Sequence, residues 1–287
     1  MKILITGAKG QLGRELARQL ARTEHSFDAV DVDEMDITDL RAVRKTILGA
    51  QPAYTHIISC AAYTNVDGCE TNAEAAYAVN AVGARNLAIA AEECGAELIQ
   101  ISTDYVFAGN DERPQTVYDI PLPVSVYGKT KLAGESYVRD FCSKYYIVRT
   151  AWLYGREGGN FVRTMQRLAN EREVVRVVSD QIGSPTNAAD LATALLLLAE
   201  TGEYGIYHCT GKGSCSWYDF ADKIAVLSGC GGRIEPCTTE EYAKLVTNQA
   251  KRPAYSALDN SALISLGIDV MRGWEEAIED FIRTDKQ

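Results

Sequence analysis

The chain has 287 residues, of which 46% are hydrophobic and 24% are charged, and this composition excludes a disordered or fibrous protein. Its 29 Lys and Arg against 39 Asp and Glu give a formal charge of −10, which argues against a nucleic-acid partner because an acidic surface repels phosphate backbones. No run approaches the ~18 apolar residues of a membrane-spanning helix, so no membrane partner is expected.

The cysteine and histidine content argues against disulfides and metal sites. Eight cysteines occur without a C-x-x-C pair, and the amino terminus carries no export signal. We therefore expect free thiols in a reducing compartment and a cytoplasmic protein. The three histidines lie far apart in the sequence, so we predict no metal site.

Short apolar runs alternate with helical patterns through the first half of the chain. The predicted strands are 2–6, 27–32, 56–59, 98–102 and 145–149. The predicted helices are 11–21, about 39–48, 72–94 and 125–142, the third of which ends at Gly95. This alternation predicts right-handed βαβ units, and hence an α/β fold with a doubly wound, Rossmann-like parallel sheet.

Predicted strands and helices alternate less regularly in the second half of the chain. Its predicted helices are 160–171, 188–200, 217–227, 239–246, 260–266 and 274–283, and its predicted strands are 174–178 and 206–209. Fewer strands indicate a smaller α+β lobe. We predict a dinucleotide-binding domain over residues 1–148 and a substrate lobe mainly over 149–287, with 174–178 returning to the large sheet.

A glycine-rich turn follows the first predicted strand and opens the first helix. Gly7, Gly10 and Gly13 form a G-x-x-G-x-x-G pattern. Glycines allow a sharp turn, a close approach of backbone to a pyrophosphate, and tight packing of helix on strand. The unpaired N–H groups at the helix start favour phosphate. The pattern predicts dinucleotide binding, although a tight turn without a ligand uses the same residues.

Residues after the second and third strands strengthen the cofactor prediction. Asp31 lies 18 positions after Gly13, near the ~20-residue offset at which a carboxylate meets the adenosine ribose. Asp36 and Ile37 are placed to border the adenine. Ala61 and Ala62 are small enough to let a cofactor lie over the strand end.

The sequence leaves the choice between NADH and NADPH open. Asp31 favours a free 2′-hydroxyl because its charge repels a 2′-phosphate. Lys9 and Arg14 lie close enough in sequence to offset that repulsion.

Three polar side chains form a candidate catalytic set. Thr103 ends the fourth strand, and Tyr127 and Lys131 are four residues apart, so on a helix they share one face. A free tyrosine has a pKa near ~10, and a neighbouring ammonium favours the phenolate. We therefore predict a tyrosine acid tuned by Lys131, with the Thr103 hydroxyl polarising a substrate carbonyl. An ordinary amphipathic helix face would show the same spacing.

These motifs resemble a known family over nearly the whole chain. The blocks STDYVF at 102–107, VYGKTKLAGE at 126–135 and RTAW at 149–152 are similar to those of the dTDP-4-dehydrorhamnose reductases, in the extended short-chain dehydrogenase/reductase superfamily. The similarity continues through residues 160–161, 180–181, 184–186 and 252–253.

The resemblance implies reduction of the C4 ketone of dTDP-4-dehydro-6-deoxy-L-mannose to dTDP-L-rhamnose by NADPH or NADH. It implies that Tyr127 protonates the C4 oxygen and that Lys131 binds the nicotinamide ribose and lowers the tyrosine pKa. The cofactor positions it implies are Gly10, Gln11, Leu12, Asp31, Asp36, Ile37, Ala61, Ala62 and Tyr63. The substrate positions it implies are Thr103, Asp104 and Trp152.

Two features depart from the family pattern. Many relatives have histidine where this chain has Tyr63. Some relatives dimerise around a magnesium ion held by glutamates; Glu15 matches one such position, but residues 185–189 contain no second glutamate. We therefore expect a monomer or a weak homodimer with a dTDP-sugar substrate, and no magnesium-linked dimer.

Other functions on the same scaffold stay open at this point. A nucleotide-sugar 4,6-dehydratase has Asp-Glu after the threonine, whereas Tyr105 takes the glutamate's position here. A 4-epimerase is disfavoured only by the specific blocks, and it would not consume reduced cofactor in proportion to product. A non-catalytic nucleotide-binding regulatory subunit could lose the three catalytic residues, and all three are present.

Overall fold

The computed structural model describes residues 1–246 and 249–285. The strands are β1 (Lys2–Thr6), β2 (Ser26–Val30), β3 (His56–Ser59), β4 (Glu97–Thr103), β5 (Tyr145–Thr150), β6 (Leu153–Tyr154), β7 (Val174–Val178), β8 (Ile182–Gly183), β9 (Thr186–Asn187), β10 (Gly205–His208), β11 (Cys215–Ser216) and β12 (Arg233–Cys237). The helices are α1 (Gln11–Leu20), α2 (Leu40–Leu48), α3 (Val66–Thr71), α4 (Ala73–Tyr77), α5 (Ala84–Cys94), α6 (Val126–Phe141), α7 (Phe161–Glu171), α8 (Ala188–Leu198), α9 (Trp217–Ser228), α10 (Thr239–Ala243), α11 (Ser261–Ile264) and α12 (Trp274–Asp285).

A six-stranded parallel sheet in the order β10-β5-β4-β3-β1-β2 forms the centre of the large domain. Helices α1 and α8 cover one face, where Leu16 and Leu195 pack against the strands. Helices α2, α5 and α6 cover the other face. Strands buried on both faces are continuous apolar runs, as in Ile3–Ile5. The predicted α/β, Rossmann-like fold class is confirmed.

The second lobe packs α7, α9 and α12 around a separate apolar core that includes Phe220 and Ile278. The two strands of its longest sheet, β7 and β12, are parallel. The prediction that residues 174–178 return to the large sheet is wrong. Alternating burial along β7 suits a sheet with one covered face, and β10 instead joins the large sheet beside β5.

One long predicted helix is divided in the structure. Residues 72–94 contain α4, a π-helical turn (Ala78–Gly83) and α5, and the helix ends at Gly95 with φ +74° as predicted. Strand β12 was not predicted, because Pro236 and its charged neighbours obscure the strand pattern.

Two expectations from composition can be compared with the structure. All eight cysteines are free, as predicted. Across residues 1–246 and 249–285, the helices lack the combination of length and apolar character that crossing a bilayer requires.

Candidate active site

The glycine turn after β1 is the tightest part of the predicted cofactor site. Gly7 has φ +67°, and a Cβ atom added there would lie 2.6 Å from the Ala61 backbone nitrogen. A Cβ on Gly13 would lie 2.4 Å from the Gly7 carbonyl oxygen. Both positions therefore require glycine, which lets the ends of β1 and β3 approach the start of α1.

A cavity of about 380 Å³ opens beside this turn. It is lined by Gly7, Lys9, Gly10, Asp31, Val32, Met35, Asp36, Ile37, Cys60, Ala61, Ala62 and Val79. Gly10 is the N-cap of α1 and contributes no side-chain cap, so helix N–H groups are available for an anion. The lining, the two required glycines and these N–H groups fit a dinucleotide.

The remaining predicted cofactor residues lie around this cavity in different ways. The Leu12 side chain packs in the core, so only its backbone can face a cofactor. Gln11 Oε1 accepts a bond from Asn160 Nδ2 at 3.1 Å and thereby joins α1 to the second lobe. The Tyr63 N–H donates to Asn80 Oδ1 at 2.8 Å.

Asp31 and Lys9 form a small polar network at the rim of the cavity. Asp31 Oδ2 accepts a bond from the Lys9 backbone N–H at 2.8 Å. The Lys9 ammonium lies 2.5 Å from Asp33 Oδ2 and 3.8 Å from Glu34 Oε1. Lys9 is thus held by two neighbouring carboxylates.

Helix α6 brings Tyr127 to the end of β4. Ser125 caps the helix by accepting a bond from the Gly128 N–H at 3.1 Å. A Cβ on Gly128 would lie 2.1 Å from the Tyr105 carbonyl oxygen, so glycine allows the helix to approach the turn after β4. The Thr103 hydroxyl lies close to the Tyr127 hydroxyl and acts to lower the pKa of Tyr127, against the effect of burial. The predicted pair of hydroxyl groups therefore lies at one place.

Lys131 is buried one helical turn from Tyr127. Its ammonium donates to the Ile101 carbonyl at 2.6 Å and, within the described residues, makes no hydrogen bond to Tyr127. Burial lowers the pKa of Lys131 to about 8, although Glu135 opposes that shift. Burial also raises the pKa of Tyr127 above its ordinary value. The expected lowering of the tyrosine pKa is therefore absent here, because desolvation of the hydroxyl dominates.

A buried ion pair supports this end of α6. Arg149 on β5 forms two hydrogen bonds with Glu135, at 2.9 and 2.7 Å, and both side chains are nearly inaccessible to solvent. Ser102 donates to the same carboxylate at 2.5 Å. The pair therefore ties α6 to β4 and β5 directly beneath the candidate catalytic residues.

A larger cavity of about 1010 Å³ lies along the second lobe. Its lining includes Phe161, Arg176, Trp217 and Arg252. Trp152 stacks on Trp217 with ring centroids 3.4 Å apart and an interplanar angle of 7°. Trp217 lines the cavity, and its ring is held by the stacking contact with Trp152.

Comparisons with known proteins match the whole chain. A family model described as the RmlD substrate binding domain matches residues 1–287. A crystal structure of a dTDP-4-dehydrorhamnose reductase from Clostridium acetobutylicum is 48% identical, with a TM-score of 0.95 over 100% of both chains. The chain belongs to the dTDP-4-dehydrorhamnose reductase family. The resemblance found in the sequence is thereby confirmed, and the family is one of oxidoreductases.

Two further members of the reductase family are similar over most of their length. A dTDP-4-dehydrorhamnose reductase from Bacillus anthracis, solved in complex with NADP, is 43% identical with a TM-score of 0.94 over 99% of each chain. A dTDP-4-dehydrorhamnose reductase from Mycolicibacterium smegmatis is 42% identical over 98% of this chain and 85% of its own.

Sequence reasoning missed two residues that shape the reductase site. Asn80, in the π-helical turn, contacts Tyr63 and also donates to Thr130 Oγ1 at 3.1 Å. It joins the loop after β3 to α6. A polar residue within an alanine-rich helix was the available signal. Trp217 gave no signal, because only the fold places it on the cavity.

Glu15 takes part in contacts within its own chain. It forms an ion pair with Arg18 and accepts a bond from Gln19 Nε2 at 2.9 Å. Gln19 also donates to the Ala189 carbonyl of α8 at 2.9 Å. Among the residues described, no cluster of three or more metal-ligating side chains occurs.

Proposed function

We propose that this protein reduces the C4 ketone of dTDP-4-dehydro-6-deoxy-L-mannose to dTDP-L-rhamnose with NADH or NADPH. The observation that carries the proposal is the placement of the Thr103 and Tyr127 hydroxyl groups beside each other at the carboxyl end of the sheet. It lies in a chain that belongs to this reductase family over its full length. The alternative of a non-catalytic subunit gains no support, since a subunit that only binds a nucleotide does not require these two hydroxyl groups to lie together.

The cofactor-binding residues in this proposal are Gly7, Gly10, Gln11, Leu12, Gly13, Asp31, Asp36, Ile37, Ala61, Ala62, Tyr63, Tyr127 and Lys131. When bound, the reduced nicotinamide supplies the hydride. Tyr127 donates its phenolic proton to the C4 oxygen, and Thr103 donates a hydrogen bond to the same oxygen. Lys131 binds a ribose hydroxyl through its ammonium, and its charge favours the phenolate that Tyr127 becomes.

The substrate-binding residues in this proposal are Thr103, Asp104 and Trp152, and Trp152 acts by stacking on Trp217. The apolar and aromatic wall of the 1010 Å³ cavity suits a sugar face and a pyrimidine, and its arginines suit a diphosphate. We also propose that the dinucleotide-binding domain spans residues 1–148 and that the substrate lobe lies mainly in residues 149–287.

A dehydratase is the alternative with a structural observation bearing on it. Tyr105, which takes the place of the dehydratase glutamate, packs edge-on against Tyr127 with ring centroids 5.5 Å apart. Tyr105 carries a phenol in place of the glutamate carboxylate, so it supplies no carboxylate base to remove the proton in water elimination. The reductase therefore remains the better proposal.

A direct assay tests the proposal. Purified protein is mixed with dTDP-4-dehydro-6-deoxy-L-mannose, and loss of NADH and of NADPH absorbance is followed in separate reactions, each with and without magnesium. One equivalent of reduced cofactor consumed for each dTDP-L-rhamnose formed supports the reductase. Product formation without net cofactor consumption would indicate an epimerase, and the same ketosugar on UDP tests the choice of base.

Assembly and location also belong to the proposal. We propose a monomer or weak homodimer. Glu15 stands at a position that metal-linked relatives use, and its carboxylate is here in contact with Arg18 and Gln19 of the same chain. We propose a cytoplasmic location, supported by the eight free thiols. Sedimentation with and without magnesium tests the assembly.

A further inference from the structure

Asp104 is a carboxyl group in a place where an ionised carboxylate is costly. Its side chain is 2% exposed. Thr103 Oγ1 lies 2.9 Å from Oδ1, whereas Oδ2 makes no hydrogen bond of normal geometry within the described part of the chain. A buried carboxylate oxygen without a partner carries a large desolvation penalty, and a neutral carboxylic acid carries a smaller one.

The Thr103 hydroxyl has one proton and two lone pairs, and its neighbours compete for them. The Tyr105 N–H donates to Thr103 Oγ1 at 3.2 Å, and the Thr103 hydroxyl can turn its proton either to Asp104 or toward the neighbouring Tyr127 hydroxyl. If Asp104 is ionised, the Thr103 proton points to Oδ1. Thr103 then has no free proton for a substrate oxygen.

Protonation of Asp104 reverses this arrangement. An O–H on Oδ1 donates to Thr103 and, together with the Tyr105 N–H, fills both lone pairs. The Thr103 proton is released on the side where the Tyr127 hydroxyl also lies. Both groups can then donate to one external oxygen.

We propose that Asp104 works as a neutral carboxylic acid that donates to Thr103 and so frees the Thr103 hydroxyl to bind the substrate ketone oxygen beside Tyr127. This inference rests on the proposed function and adds to the substrate contact proposed for Asp104. Asp104 acts through Thr103, and so it is a positioning residue for the proton transfer.

The surroundings of Asp104 agree with a neutral acid. The titratable groups facing it are the phenols of Tyr105 and Tyr127, and the Ser256 hydroxyl also approaches its carboxyl. The charged groups near Tyr105 are Arg252 and Asp67, and Arg252 donates to the Asp67 carboxylate at 3.0 Å. Burial raises the pKa of Asp104 to about 6.

The sign of the pH dependence follows from this assignment. The productive form is protonated, so activity is present below the pKa of Asp104 and is lost as the pH rises through it. We expect kcat/KM of the wild-type enzyme to fall about tenfold per pH unit above that pKa, since kcat/KM reports the free enzyme.

Asp104→Asn is the decisive variant, because its amide NH₂ donates to Thr103 at every pH. We expect the kcat/KM of this variant to be independent of pH between about pH 6 and about pH 8, whereas that of the wild-type enzyme falls over the same range. Ser256→Ala alters the same pocket and keeps the acid, so its kcat/KM should fall above the pKa of Asp104 as in the wild-type enzyme.

Three results overturn the proposal. The first is an Asp104→Asn enzyme that binds cofactor normally but loses more than about 100-fold in kcat at every pH, which would mean that the carboxylate itself is required. The second is an Asp104→Asn enzyme whose kcat/KM falls with rising pH as that of the wild-type enzyme does. The third is a wild-type kcat/KM that does not change between about pH 5 and about pH 8. This result overturns the proposal even if the variant fails to fold.

A spectroscopic measurement separates this proposal from the proposed function. The wild-type-minus-Asp104→Asn infrared difference spectrum at about pH 5 should contain a carboxylic acid C=O band that disappears with rising pH. Absence of that band overturns the inference whatever the substrate is. A band present in a protein that consumes no cofactor with the dTDP-ketosugar would instead overturn the proposed reaction.

Discussion

The parts of the molecule that we assign to the cofactor and to the sugar nucleotide are built in different ways. We call the ends of β1, β3 and β4 and the start of α6 the cofactor wall, and each of these segments belongs to a contiguous motif. The sugar wall is assembled from α7, β7, α9 and the segment around Arg252, which are far apart in sequence. The first wall depends on local backbone geometry, and the second depends on packing between distant segments. Substitutions in the two walls should therefore affect different kinetic constants.

The largest expected effect is that of Tyr127→Phe in the cofactor wall. Loss of the phenolic proton should lower kcat about 1,000-fold, within the range for a general acid. Cofactor affinity, measured by quenching of protein fluorescence, should change less than about threefold, because a 3-fold change is under 1 kcal/mol. Retention of most of the rate would show that another group is the acid.

Glu135→Gln tests the support beneath that wall. It leaves the buried Arg149 charge without its partner, so we expect a loss of about 3 kcal/mol in the free energy of unfolding, measured by urea denaturation. The exposed pair Arg167–Glu171 provides the control, and Glu171→Gln should cost under about 0.5 kcal/mol. Equal effects would mean that burial does not set the strength of this contact.

Gly7→Ala separates local strain from steric contact in the glycine turn. Both Gly7 and Gly95 have positive φ, but only at Gly7 does an added Cβ meet backbone atoms. Gly95→Ala should cost about 1 kcal/mol in unfolding free energy and leave cofactor affinity unchanged. Gly7→Ala should cost at least about 2 kcal/mol and weaken cofactor binding about tenfold. Equal costs would exclude the close approach to Ala61.

The smallest effect is expected from Gly183→Ala in the sugar wall. A Cβ there would lie 2.4 Å from the Trp152 ring, and displacement of that ring would disturb Trp217. We expect KM for the sugar nucleotide to rise about tenfold, or about 1.4 kcal/mol, with KM for NADH unchanged. A parallel rise in both KM values would show that the two walls are not independent.

The same difference explains which parts of the molecule were predictable. Both ends of strand β1 were predicted correctly, because a short apolar run that ends at a glycine turn indicates a strand with those bounds. Asp39, the first residue of the second predicted helix, caps α2 by accepting the Arg41 N–H at 2.8 Å. The pairing of β7 with β12 was missed, since sheet partners depend on contacts between residues about 60 apart.

The role of Trp152 shows the same limit within the site. The sequence indicates an aromatic residue after β5, but its φ of +47° and its stack on Trp217 follow from the packing of α9. Positive φ is unfavourable for a tryptophan, so the surrounding packing must stabilise that conformation.

The sequence by itself determined the parallel sheet, the glycine turn, the spacing of Tyr127 and Lys131, and the family. Each depends on residues close together in the chain, whose backbone geometry is set locally. Only the tertiary structure decided the buried environment of Asp104, the Glu135–Arg149 pair and the Trp217 wall. Desolvation and long-range packing arise when distant segments meet, so no local pattern records them.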